Sequence, residues 1–121
     1  MKLTDTHTHL HFDQYRFDIE AVVSQAREAG VRKILTLGTD LPSSMASLNI
    51  AQRHDFIHAA AGIHPTDVLN SRAEDVQRIK ELAATEDNIA AIGEIGLDLY
   101  WKEVSLDHQI PMFEKMIELA G

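Results

Sequence analysis

Four short apolar runs, each followed by a stretch of helical spacing, restrict this chain more than any other feature. Residues 3–6, 33–39, 57–63 and 89–95 read as strands. After the first, Ile19, Val22, Val23 and Ala26 form one helical face, with Asp18 as N-cap and Gly30 as the stop. Asp40 caps a second helix, whose inner face is Leu41, Met45 and Leu48 and whose first turn tolerates Pro42. A capping box of Ser71 and Glu74 opens the third, which buries Val76, Ile79, Leu82 and Ala83. The fourth presents Ile110, Phe113, Met116, Ile117 and Ala120, and Pro111 must lie in its first turn or kink it. Strands that are apolar on both faces and alternate with helices imply a parallel sheet with right-handed crossovers. The expected fold class is α/β, made of parallel (β/α) units.

No linker, low-complexity tract or charge block interrupts the 121 residues, so 1–121 is expected to form a single domain. The formal net charge is −8 against 11 basic residues. Wrapping duplex nucleic acid needs clustered Lys and Arg, so an acidic chain is poorly suited to it. The same charge suits divalent cations, which reverse the local field. The chain has no cysteine, which removes disulfides and thiolate metal sites. Lys2 and Asp5 flank Leu3 and prevent a signal-peptide core. No apolar run nears the ~20 residues that span a bilayer. No membrane partner and a cytoplasmic location are the expectations.

Three motifs fall at strand ends. In Asp5-Thr6-His7-Thr8-His9-Leu10, His7 and His9 are two residues apart, so on a regular strand they point the same way with α-carbons ~6.6 Å apart. Two imidazoles so placed can converge on one metal ion, or merely share a strand face. In Ile92-Gly93-Glu94-Ile95-Gly96-Leu97-Asp98 a carboxylate stands among apolar residues with no basic residue before Lys102. An isolated buried carboxylate costs several kcal/mol or more, so Glu94 needs a partner, and a metal is the favoured one. In Gly62-Ile63-His64-Pro65 the proline biases His64 to an extended backbone, aiming it into the mouth shared by His7, His9 and Glu94. Substrate contact is the favoured role for His64, because parallel β/α folds place sites at the carboxyl ends of strands. His11 reads as a neighbour of the site, and His54, His58 and His108 as surface or loop residues. Tyr100 and Trp101 read equally well as base-stacking groups and as packing.

Together these motifs resemble the TatD family of metal-dependent hydrolases, in the right order and over essentially the whole chain; Gln109 and the helix through Ala120 also fit. Leu99 departs from the pattern, since an aromatic residue is common there. The resemblance implies a TIM-type (β/α)₈ barrel. Such barrels need ~250 residues, so this chain would be the N-terminal half, four βα units of eight, and a longer gene product is expected. The resemblance also implies that His7 and His9 hold one metal and that Glu94 bridges to a second, with Mg, Mn or Zn as candidates. Two ions per complete site are expected, the remaining ligands and the general base coming from later strands. The implied chemistry is phosphodiester hydrolysis of DNA, exonuclease-like, with DNA or a nucleotide phosphodiester as substrate partner; the 121 residues alone would be inactive or weak. Two rivals stay open. One is an amidohydrolase or phosphotriesterase relative acting on a small ester or amide. The other is a non-catalytic half-barrel that self-associates as a homodimer through its exposed edges, with Leu35, Leu37, Ala59, Ala61 and Ile92 losing part of their cover.

Overall fold

The computed structural model describes residues 1–121. Strands β1 (Leu3–Thr8), β2 (Val31–Leu37), β3 (Ile57–Ala61) and β4 (Ile89–Ile92) lie side by side in chain order in one parallel sheet. Helices α1 (Ile19–Glu28), α2 (Leu41–Ala51), α3 (Ala73–Thr85) and α4 (Leu106–Ala120) follow them in turn. Short 3-10 turns occupy Asp13–Tyr15 and Pro65–Asn70. Strand order without reversal is the winding of a (β/α) barrel; a doubly wound sheet would reverse at a switch point.

The core lies between the helices and one face of the sheet. Val23 of α1, Ile34 of β2, Ile50 and Ala51 of α2, and Ile57 and Ala59 of β3 form one buried cluster. Ala61, Ile63, Ile79 of α3 and Met116 of α4 form a second. Alternate β3 residues therefore meet all four helices. Ala59 and Ala61 are completely buried under that layer, contrary to the expectation that an open barrel would uncover them. Leu37 is also buried, whereas Leu35 and Ile92 are half-buried. The cost of an incomplete interior falls instead on the outer strands: β1 is exposed from Leu3 to His7, and Ala90 and Ala91 are exposed in β4.

Several boundaries differ from the sequence reading, each for a local reason. β2 starts at Val31, because Leu3 pairs with it, and ends at Leu37 rather than Thr39. β3 ends at Ala61 and β4 at Ile92, each just before a glycine that takes the chain out of the sheet. Asp18 makes no side-chain cap, while Gly30 takes a φ of 98° and stops α1 as expected. Asp40 does cap α2, accepting from the Ser43 N–H at 2.8 Å. The buried face of α2, however, is Ser44, Ser47, Leu48, Ile50 and Ala51, and Met45 is exposed. Small side chains let α2 lie close to the strand ends, where Ser44 Oγ accepts from the Gly62 N–H at 3.2 Å. The box before α3 is one residue later than expected: the Asp75 carboxylate accepts from the Arg72 N–H at 2.8 Å, and Ser71 Oγ donates to the Asp67 carbonyl. In α4 the inward positions are Gln109 and Met116, flanked by Met112 and Leu119, so Ile110 and Ile117 stay exposed. Pro111 lies in the second turn of α4 and supplies no N–H to the Asp107 carbonyl four residues before it.

Candidate metal centre

At the carboxyl end of β1 the pairing with β2 slips: Asp5 pairs with Ile34 but Thr8 with Thr36. One extra residue is accommodated in β1, and such bulges re-aim side chains at strand ends. His7 lies in this bulge, its N–H held by Asp5 Oδ1 at 3.0 Å, and His9 follows the last strand residue. Simple two-residue alternation therefore does not describe the pair. The bulge and the strand exit bring the two rings edge to face, with centroids 5.3 Å apart.

Glu94 arrives from the other edge. Gly93 N–H donates to the Ala61 carbonyl at 3.0 Å, and Glu94 N–H donates to the Gly38 carbonyl at 2.7 Å. Gly38 follows β2, so the chain leaving β4 passes over the end of β3 to reach it. Gly62 permits the crossing, since a Cβ there would stand 2.8 Å from the Gly93 carbonyl carbon. The Gly93–Glu94 peptide is cis.

These paths converge. Glu94 Oε2 is 3.1 Å from His9 Nε2 and 3.4 Å from His7 Nε2. Donor atoms from all three residues lie within 4.8 Å of one another. Two donors bound at 2.0–2.1 Å to a tetrahedral ion stand about 3.4 Å apart, so the carboxylate–imidazole spacings already match a shared ion.

Hydrogen bonds set the tautomers. His9 Nδ1 lies 3.0 Å from the Leu37 carbonyl, which can only accept, so Nδ1 carries the proton and Nε2 turns its lone pair to Glu94. Phe12 stacks on the same ring at 4.8 Å, only 6° from parallel, and holds its plane. His64 has the opposite arrangement. Its Nδ1 accepts from the Thr66 N–H at 3.2 Å and lies 2.7 Å from Thr66 Oγ1. The neutral ring then carries its proton on Nε2, which faces Glu94 Oε1 at 3.8 Å. His9 offers a lone pair to the centre; His64 offers an N–H.

His11 packs edge to face on His9 with its Nδ1 3.3 Å from Ser47 Oγ. Burial, then the neighbouring His9, push its pKa down, with Asp40 partly opposing. Asp67 is shifted up by burial and by Asp40, against the opposing influence of His64 and Thr39. His58 is not a surface residue: it lies in β3, half-buried, with Nδ1 enclosed and without a hydrogen-bond partner. His54 is also largely covered, 3.4 Å from Glu20 Oε1, whereas His108 is exposed.

Sequence reasoning missed the braces. Gln109 is buried, with Oε1 accepting from the Asp98 N–H at 2.8 Å and Nε2 donating to the Asp98 and Val104 carbonyls at 2.9 and 2.7 Å. Asp98 Oδ1 accepts from the Tyr100 and Trp101 N–H groups. Asp98 thus shapes the loop after β4 rather than joining the donor cluster. A glutamine in the helical register of Met112, Met116 and Leu119 was the available signal.

The profile of the TatD related DNase family matches residues 4–121. A Bacillus subtilis protein named "Uncharacterized metal-dependent hydrolase YabD" is 41% identical over 118 residues, covering 98% of this chain and 46% of that protein. The "3'-5' ssDNA/RNA exonuclease TatD" of Enterobacter lignolyticus is 40% identical over 117 residues, covering 97% of this chain and 45% of its own length. The crystal structure of YjjV, a TatD homologue from Escherichia coli, superposes with a TM-score of 0.90 at 28% identity, covering 98% of this chain and 46% of that one. The chain thus spans about half the length of the curated relatives it matches. With its parallel β/α winding and its His-x-His and Glu motifs at strand ends, it belongs to the TatD-related DNase family of metal-dependent hydrolases, as the N-terminal half of that family's barrel.

Proposed function

We propose that His7, His9 and Glu94 hold a divalent ion and that the protein these residues serve hydrolyses phosphodiester bonds in single-stranded DNA, removing nucleotides from an end. The observation that carries this reading is the convergence of two imidazole nitrogens on Glu94 Oε2 at 3.1 and 3.4 Å, with the His9 lone pair directed there by the Leu37 carbonyl. The naming of the Enterobacter lignolyticus relative as a single-stranded nucleic acid exonuclease supports the substrate class.

An ion held here, Mg, Mn or Zn, would lower the pKa of water and neutralise charge on phosphoryl oxygens. His7 and His9 supply neutral nitrogen donors. Glu94 uses Oε2 toward them and leaves Oε1 on the His64 side, a disposition that suits a carboxylate shared between two ions. His64 presents Nε2–H at the mouth, where it can donate to a phosphate oxygen and orient the substrate. No residue of this chain is assigned as general base. Residues 1–121 act as one partial-barrel domain of four βα units, and the open β1 and β4 edges favour pairing of two copies.

The test is hydrolysis of a 5′-labelled single-stranded oligonucleotide in Mg²⁺ or Mn²⁺ by a form of the protein containing these residues and a complete barrel. Stepwise release of nucleotides, abolished by His9→Ala or Glu94→Gln, is expected. Turnover of a small ester or amide with no nucleotide release would overturn the reading.

A further inference from the structure

The loop after β4 carries a cluster of large apolar side chains that the metal centre does not use. Leu99, Tyr100 and Trp101 are 71%, 80% and 55% exposed, although the backbone N–H groups of the last two are held by Asp98. Asp98 Oδ1 holds the Tyr100 and Trp101 N–H groups at 2.7 and 3.0 Å, and buried Gln109 clamps Asp98 from below. Exposed apolar groups on a loose loop could fold back onto the core; here the loop is fixed with Trp101 outward. Tyr100 meets the Trp101 ring edge-on, with centroids 4.9 Å apart and planes at 87°, which leaves a face of the indole uncovered by that neighbour.

Trp101 lines a shallow pocket of about 270 Å³ together with Thr66 and Glu103. Thr66 ties the pocket to the centre. Its N–H and hydroxyl both engage His64 Nδ1, and His64 Nε2 faces Glu94 Oε1. A group in the pocket is therefore separated from the metal donors by one threonine and one imidazole.

From this arrangement we propose that Trp101 is a stacking platform for an unpaired nucleobase, with Thr66 and Glu103 forming the polar edge that meets it, and that this pocket selects the nucleotide whose phosphate lies at His64 and Glu94. The proposal rests on the nuclease reading and deepens it. Charge on this chain argues in the same direction: at −8 it gains little from phosphate contacts, so affinity must come from the ion and from contacts indifferent to charge. Base–aromatic stacking is such a contact, and only a single strand presents a free base face. A carboxylate only accepts hydrogen bonds, so Glu103 favours bases with an exocyclic amine, as when Glu accepts from the cytosine N4 amine, over thymine, whose single donor, N3–H, stands between the O2 and O4 acceptors that repel a carboxylate.

Trp101 is the only tryptophan in the chain, so its fluorescence reports on this pocket alone. The experiment titrates the chain, in Ca²⁺ or Mn²⁺, with end-labelled oligo(dC), oligo(dT) and an abasic oligomer of equal length, reading label anisotropy and tryptophan emission together. Expected are anisotropy changes with all three ligands, tightest for oligo(dC), and quenching by the two base-bearing oligomers only. Trp101→Ala should weaken oligo(dC) binding by about 5- to 150-fold, the range that 1–3 kcal/mol of stacking per base spans, and leave abasic binding unchanged. Glu103→Gln should narrow the difference between oligo(dC) and oligo(dT). Binding by anisotropy with no tryptophan response, or equal loss of base-bearing and abasic binding in Trp101→Ala, overturns the stacking site while the nuclease reading stands. Absence of binding to every oligomer overturns the stacking site on this chain, while the nuclease reading stands or falls on the complete-barrel assay.

Discussion

Glu94 N–H donates to the Gly38 carbonyl at 2.7 Å although β3 lies between the strands that carry them. This bond closes the mouth of the half-barrel and carries the carboxylate from the β4 edge toward the histidines of β1. It depends on Gly62, over which the Gly93–Glu94 segment passes.

Gly62→Ala should therefore act on the site more than on the fold. The added methyl would stand 2.8 Å from the Gly93 carbonyl carbon, and backbone must shift to relieve it. Mn²⁺ or Zn²⁺ affinity by calorimetry is expected to fall about 10- to 100-fold, the usual effect of disturbing what supports a ligand, with the far-ultraviolet circular dichroism retained. Unchanged affinity would separate Glu94 from the metal.

Metal stoichiometry is a second check. Two histidines and one carboxylate suffice for one ion with an open position, and this chain brings no further donor into the cluster. At most one weakly held divalent ion per chain is expected, released on acidification as the histidines protonate. Two tight ions on the 121-residue chain by metal analysis would contradict this.

Gln109→Leu should destabilise out of proportion to its size. It strands the Asp98 N–H and the Asp98 and Val104 carbonyls around a buried site. Each stranded buried group costs roughly 1–3 kcal/mol, so denaturant unfolding should show a loss of several kcal/mol. A loss below about 1 kcal/mol would mean that water replaces the amide.

Asp67→Asn tests the acidic corner beside the site. Burial and then Asp40 raise the Asp67 pKa, so the folded state holds this proton more tightly than the unfolded chain. Stability from this group is full below the ordinary aspartate range and falls as pH rises through the raised value. The asparagine variant escapes that fall and can still accept from Thr39. Its melting temperature should exceed wild type at neutral pH, and the difference should vanish in acid.

Self-association follows from the exposed strands. With β1 open along Leu3–His7 and an apolar groove of about 450 Å³ between β4, α3 and α4, light scattering should give a mass above 13.5 kDa that rises with concentration. A concentrated, well-folded monomer would show that these edges are protected as they stand.

Much of this protein could be read from the order of its residues. Strand and helix types follow from periodicity, which is a local property: Val76, Ile79 and Leu82 repeat at helical spacing along α3 because one helix face must leave water. His7, His9, His64 and Glu94 could be named because each stands at a strand end beside glycine, proline or a second histidine. Tertiary structure decided what depends on distant segments meeting. It set which face of α2 is buried, since the serines of that face answer to Gly38 and Gly62 and not to hydrophobicity. It made His9 a lone-pair donor and His64 an N–H donor, because the Leu37 carbonyl and the Thr66 amide choose each tautomer and no residue spacing encodes that choice. It also kept Ala59 and Ala61 covered while exposing β1, because β3 is a central strand between β2 and β4 beneath the helices and β1 is an edge strand with one neighbour.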